Sequence, residues 1–293
     1  MMHPHNSLLI RLLKKYGAFF SDKTYLSILF KLVFKHSIDW HNPLTFNEKL
    51  NWLKVNYKND ACVTIVDKIE AKNYAASIIG NEYIIPTLQI WDNAADVSIE
   101  TLPKKFVLKT NHDSGSVFVC QEKEKFNIKA IQSKLQLAMS TDFSKTFREW
   151  PYNLVPRKIF AEQYINDDSK GDLKDYKFFC FNGVPRFLKV DFDRNTNHRA
   201  NYYSLSWNLL PFGEAACPPD PARIIEKIPN LNQMIELATK LSNNFPFVRV
   251  DFYNVNGKIY FGEMTLFPAA GFGHFVPETA DLDIGHLLNL NHL

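Results

Sequence analysis

An α+β fold is the expectation for this chain, and three observations carry it. Two stretches of alternating apolar and polar residues double back at Asn-Gly, one over residues 174–190 at Asn182-Gly183 and one over 247–265 at Asn256-Gly257. Asn-Gly supplies the positive φ angles of a tight hairpin turn. A strand, a small polar loop and a second strand fill residues 106–119. Residues 231–245 instead repeat apolar positions at helical spacing, as one face of an amphipathic helix does.

The remaining elements follow in order. Residues 6–36 read as one or two basic amphipathic helices, ended by Asn42-Pro43. Thr45 and Glu48 fit a capping box that starts the next helix, with Phe46, Leu50 and Leu53 on one face and Trp52 beside it. A single helix is expected over 63–79, a strand near 84–91, a helix over 126–140 and a strand over 159–165. A loop is expected at 166–172, and a Pro-rich connection over 218–229.

The 293 residues are 46% hydrophobic and 22% charged, which fits a globular protein with a large core. Aromatic content is 14%, with 24 Phe, and suits either thick β layers or a sugar-binding surface. Net charge is +3, but residues 1–60 hold nine Lys or Arg against four Asp or Glu. That basic segment fits a membrane surface, an anionic polymer or a solvated helix face. Cys62, Cys120, Cys180 and Cys217 form no CxxC pair, which excludes a zinc ribbon or disulfide framework and points to a reducing cytoplasm. The first 20 residues lack the pattern of a signal peptide, and the apolar run 24–34 contains Lys31 and is too short to span a bilayer.

The chemistry concentrates in residues 247–273. The hairpin there brings Asp251 and Glu263 toward neighbouring strand ends, with Arg249 on the face of Asp251. Two close carboxylates repel unless a cation lies between them, and hard oxygen ligands suit Mg²⁺. Ordinary salt-bridging charges on a surface hairpin are the other reading. The loop 110–116 offers backbone N–H groups and the Ser114 and Ser116 hydroxyls to phosphate, with Gly115 permitting close approach.

Four ordered segments, 66–72, 106–119, 158–179 and 247–264, resemble the ATP-grasp fold. Together with NPLTFNEKLNWLK (42–54) and GEMTLFPAAG (262–271), they resemble the TupA-like ATP-grasp family of cell-surface polysaccharide clusters, over residues 40 to 290. The resemblance implies two α+β lobes gripping ATP behind a helical N-terminal extension. The expected organisation is an extension over 1–60 and a catalytic region over 61–293, with a smaller lobe at about 105–165 and a C-terminal lobe over 166–293.

It also implies roles. Lys109 and either Lys68 or Lys72 would contact ATP phosphates. Glu162, Gln163, Tyr164 and Ile165 would form the adenine hinge, Asp175 would bind ribose, and Lys177 would reach phosphate. Asp251, Glu263 and Thr265 would hold Mg²⁺; Thr265 stands where the wider fold has Asn. Arg249 would stabilise the acyl phosphate and tetrahedral intermediate. The implied activity is ATP-dependent ligation of an amine or amino acid to a uronic-acid carboxylate of a saccharide. A glycosyltransferase using a nucleotide sugar is the alternative, with Asp191-Phe192-Asp193 its single DxD candidate. The tyrosine-rich stretch 191–203, with His198 and Arg199, fits an anionic sugar or an ordinary polar loop. No nucleic-acid partner is expected. The expected location is the cytoplasm, with peripheral contact of the basic N-terminus to the membrane's inner face.

Overall fold

A computed structural model describes residues 8–166, 173–194, 196–291 and 293. Except for Asn166, the loop expected at 166–172 lies outside them, as do residues 1–7. Two antiparallel sheets organise the chain. The smaller has the order β1 (Thr87–Trp91), β4 (Ile159–Gln163), β2 (Phe106–Thr110), β3 (Val117–Cys120). The larger has the order β10 (Lys258–Thr265), β9 (Phe247–Val255), β5 (Asp175–Phe181), β6 (Val184–Phe192), β7 (Arg199–Ser204). Both Asn-Gly turns are present, with φ 48° and 79° at Asn182 and Gly183 and 52° and 82° at Asn256 and Gly257. The short strands β8 (Gly213–Glu214) and β11 (Phe275–Val276) pair separately.

Each sheet has one core face and one chemical face, because side chains alternate along a strand. In the smaller sheet Phe106, Leu108, Ile159 and Ala161 pack with Leu135 of α6 (Ile128–Ser140). The opposite face carries Lys109 and Glu162 beside Val117 and Val119, which are nearly half exposed. In the larger sheet Phe178, Leu188 and Val250 share the inner face, and α8 (Leu231–Ser242) packs against β5, β6 and β9. Leu231, Met234, Ala238 and Leu241 of α8 are buried, as their helical spacing requires.

The other face of the larger sheet divides in two. One end is aromatic: Phe46 of α3 (Phe46–Asn56) lies 4.9 Å from Phe247, and Phe179 stacks 4.7 Å from Phe187. These rings are core, which accounts for much of the aromatic content. The other end is charged, with Arg249, Asp251, Lys177, Asp175, Lys189 and Asp191 aligned by register.

The capping box at Thr45 and Glu48 is formed. The single helix expected over 63–79 is two: α4 (Ala61–Val66) and α5 (Lys68–Ile79). Asp67 divides them, with ψ 110° and its carboxylate accepting from the N–H groups of Ile69 and Glu70. An aspartate at that point competes with helix continuation by capping a new start. The basic segment forms α1 (Leu8–Tyr16) and α2 (Asp22–Phe34), whose inner residues pack around Tyr25, Phe30 and Phe272. α7 (Phe143–Phe147) and the turn Trp150–Leu154 lead into β4, and α9 (Thr279–Gly285) packs on α3.

Candidate active site

Asp251 and Glu263 are direct partners across β9 and β10, and Thr265 is the partner of Arg249. The cation between the two acids is the Arg249 guanidinium. Its Nε and Nη2 donate to the two Asp251 oxygens, each at 2.7 Å, and Nη2 also donates to Glu263 Oε1 at 2.9 Å and Thr265 Oγ1 at 3.0 Å. Lys177 donates to Asp251 Oδ2 at 2.6 Å, with Asp191 at 3.5 Å and Asp175 at 3.6 Å from its ammonium. Burial alone raises the Asp251 carboxyl, but Arg249 and then Lys177 outweigh it and hold the group at about 2. Lys177 is thus an internal counter-ion, and Asp175 is equally buried, 2.6 Å from Arg194.

The smaller sheet contributes a second cluster. Glu162, buried on β4, accepts from Lys72 at 2.8 Å and pairs with Lys109 on β2. Gln163 ends β4, and Tyr164 and Ile165 follow it. Lys68, at the start of α5, donates to the Asp113 carbonyl. Burial lowers the Lys68 ammonium below its ordinary value, and Glu263 and Asp113 pull it back up, so Lys68 senses both sheets. Lys68, not Lys72, lines the cavity between them.

Asp113 organises the loop, a role the sequence reading did not give it. Its carboxylate accepts from the Thr110 and Ser116 hydroxyls, while Ser114 faces the cavity and Gly115 adopts φ +125°. The segment 268–273 is held from below by α3. Asn47 exchanges two hydrogen bonds with Gly273, Asn51 donates to Gly271 O at 2.8 Å, and Lys54 donates to Ala270 O at 2.6 Å and Phe147 O at 2.9 Å. Ala269, Ala270 and Gly271 all have positive φ, a strained run that these donors fix in place. Their spacing, four and then three residues along a helix, was the available signal: polar residues on a face that also carries core positions.

A cavity of about 440 Å³ joins these parts, lined among others by Lys68, Ser114, Glu149, Tyr152, Arg249 and Glu263. That volume is ordinary for a small-molecule site. The donor set suits a triphosphate: Lys68 and Lys109 flank a loop that presents Ser114 to the cavity, while the Ser116 hydroxyl is held by Asp113, and exposed Val117 and Val119 offer an apolar strip beside Lys109. The Glu263 side chain is 42% exposed, so its outer oxygen is open to a divalent cation, whereas both Asp251 oxygens already accept from cations.

Asp191, His198 and Cys217 also place possible ligand atoms within 4.8 Å of one another. A divalent ion is disfavoured there by charge, since Lys177, Lys189 and Arg194 all stand within 4 Å of Asp191. Asp191 is buried at the end of β6, while Asp193 lies beyond the strand in a left-handed conformation. His198 pairs with Asp191 at 3.2 Å, whereas Tyr202 and Tyr203 are buried on β7.

A model of the TupA-like ATP-grasp family matches residues 48–289. No curated protein matches. Among solved structures, the L-amino acid ligase of Bacillus licheniformis is similar at 11% identity, over 88% of this chain and 58% of that one, with TM-score 0.47. The D-alanine–D-alanine ligase of Bacillus anthracis is similar at 14% identity, over 69% and 57%, with TM-score 0.44. That of Helicobacter pylori is similar at 14% identity, over 83% and 69%, with TM-score 0.42. The chain spans 57% of the length of the Bacillus anthracis ligase. No helix among the described residues is long and apolar enough to cross a membrane.

Proposed function

Since the chain belongs to the TupA-like ATP-grasp family, we propose that it is an ADP-forming carboxylate–amine ligase. Its substrates would be a uronic-acid carboxylate of a cell-surface polysaccharide or precursor, and an amino acid or other amine. One observation carries the reading: Arg249, Lys68 and Glu263 meet at a cavity wide enough for a small acceptor, beside the Lys109 loop. Transfer of a phosphoryl group depends on positioning and charge neutralisation, and these residues supply both. Lys109, Lys68 and the Ser114–Ser116 loop orient the phosphates of ATP. Arg249, locked by Asp251, Glu263 and Thr265, neutralises charge that develops on the carbonyl and transferring oxygens. Mg²⁺ would be held by the outer oxygen of Glu263 and would supply Lewis-acid charge to the phosphates, whereas Asp251 and Thr265, expected as ligands, are already taken by Arg249 and Lys177 and would act through Arg249. The expected bounds shift: α3, inside the expected extension over 1–60, packs into the core of the larger sheet, β1 joins the smaller sheet ahead of the expected start near 105, and the lobes would divide near residue 165. Glu162 to Ile165 lie at that division, where a hinge meets adenine, and Asp175 follows it toward ribose.

A membrane-proximal working place also follows from the N-terminus. Leu8, Leu9, Leu12, Phe19 and Phe20 are exposed, Phe19 at 96%, while Ile10 and Leu13 anchor α1 inward. Arg11 and Lys15 flank this apolar surface, and no acid occurs from residue 8 to 21. An apolar strip bordered by cations suits an anionic bilayer interface.

The test is ADP release from Mg-ATP with a panel of uronic acids and amines. Release that needs both partners supports the ligase. Consumption of a nucleotide sugar, abolished by Asp193→Ala, overturns it in favour of glycosyl transfer.

A further inference from the structure

Three carboxylates line the cavity: Asp113, Glu149 and Glu263. Two are already committed. Asp113 accepts from Thr110 and Ser116, and Glu263 accepts from Arg249 and Thr265. Glu149, between α7 and β4, makes no side-chain hydrogen bond and no ion pair within 4.0 Å among the described residues. Its neighbouring cation, Lys54, directs its donors elsewhere, to Asn51, Phe147 and Ala270. A half-buried carboxylate that faces a cavity without a donor is a site for one. The cavity lining also includes the apolar side chains of Phe143, Phe147, Met264 and Phe267. Tyr152 stands between the two halves, its hydroxyl in the field of both Glu149 and Glu263.

We propose that Glu149 binds the ammonium of the amine substrate in this cavity and accepts its proton, with the aromatic wall taking the alkyl or aryl part of that substrate. The assignment rests on the ligase reading and adds the amine subsite to it. The balance is simple. One ammonium proton passes to Glu149, and the freed nitrogen lone pair forms a C–N bond to the acyl-phosphate carbonyl carbon. The carbonyl–O–P linkage breaks at its C–O bond, the electron pair leaving with phosphate. Of the two remaining N–H protons, one goes to the departing phosphate and one stays on the amide; Glu149 then releases its proton to water. Burial pushes the Glu149 carboxyl up to about 7 while Lys54 pulls it down, so it is a base suited to neutral pH.

The experiment titrates n-butylammonium chloride into the full chain, with and without Mg-ATP, by calorimetry. Wild type binds saturably, Glu149→Gln binds at least about 30-fold more weakly, as loss of a charge-assisted hydrogen bond requires, and Glu149→Asp recovers part of the affinity. Equal binding by Glu149→Gln, or no binding by wild type in either condition, overturns the assignment. The Mg-ATP thermal shift reports folding of each variant, and its absence in wild type counts against the ligase reading rather than the amine subsite. For proton transfer, Glu149→Gln slows amide formation from an alkylamine far more than hydroxamate formation from hydroxylamine, which is uncharged at neutral pH. Equal slowing of both overturns the base role.

Discussion

Glu263 stands opposite Asp251 because Gly262 is an extra residue in β10. The register shifts between Phe261 and Glu263; the unshifted register set by the Asn256-Gly257 turn would put Gly262 opposite Asp251 and turn Glu263 toward the core face beside Val250. Glycine fits the bulge because a Cβ there would lie 3.0 Å from the Asp251 carbonyl oxygen.

The two acids should therefore respond differently to mutation. Asp251→Ala removes the shortest partner of both Arg249 and Lys177, and breaking a buried charge pair costs about 3–5 kcal/mol. Glu263→Gln, at a side chain 42% exposed, should cost less than about 1 kcal/mol and yet remove the metal-dependent part of nucleotide binding. Urea denaturation and Mg-ATP titration read the two effects. A wild-type midpoint for Asp251→Ala would refute its counter-ion role.

Acid stability should carry the signature of Asp251. Its carboxyl lies at about 2 in the folded chain against an ordinary 3.8. A depressed value means the stabilisation is complete above about 3.8 and drains as pH falls through about 2. Its size is on the order of 2 kcal/mol. Denaturant melts between pH 2 and 5 should show a slope in that window for wild type, and a shallower one for Asp251→Asn.

Lys54 should be a structural residue despite its charge. Burial lowers its ammonium to about 8, with Glu149 opposing. Lys54→Met removes the donor of the Ala270 carbonyl, at about 1–3 kcal/mol for a buried group left unsatisfied. The expected result is a lower unfolding midpoint together with loosening of residues 268–273, visible as faster amide exchange there. An unchanged midpoint would mean that the loop keeps its conformation unaided.

Vesicle sedimentation should separate wild type from a variant carrying Leu8→Ser, Leu12→Ser and Phe19→Ser. Wild type should pellet with anionic vesicles, less so at high salt, and not with neutral ones. The triple variant should stay in the supernatant with its Mg-ATP response intact. Equal pelleting of both would remove α1 as the membrane contact.

Sequence alone determined the parts that local chemistry dictates. Asn-Gly fixed both hairpins, Thr45 and Glu48 fixed the start of α3, and alternation placed Arg249 and Asp251 on one face. The ordered motifs also marked the family, whose model matches residues 48–289. Tertiary structure decided what depends on packing between distant segments. The Gly262 bulge set which way Glu263 points, and the cation between the paired acids proved to be Arg249, two residues from one of them. The helix break at Asp67 is held from a distance as well as capped locally, the Lys68 N–H donating to the Asn111 carbonyl, and Lys177 turned inward to carboxylates on three strands. Glu149 bears no motif; its carboxylate faces a cavity because α7 and the 262–270 segment, far apart in sequence, line the same space. Spacing along a chain encodes turns, caps and faces, whereas the burial and pairing of a charge depend on which remote residues fold against it.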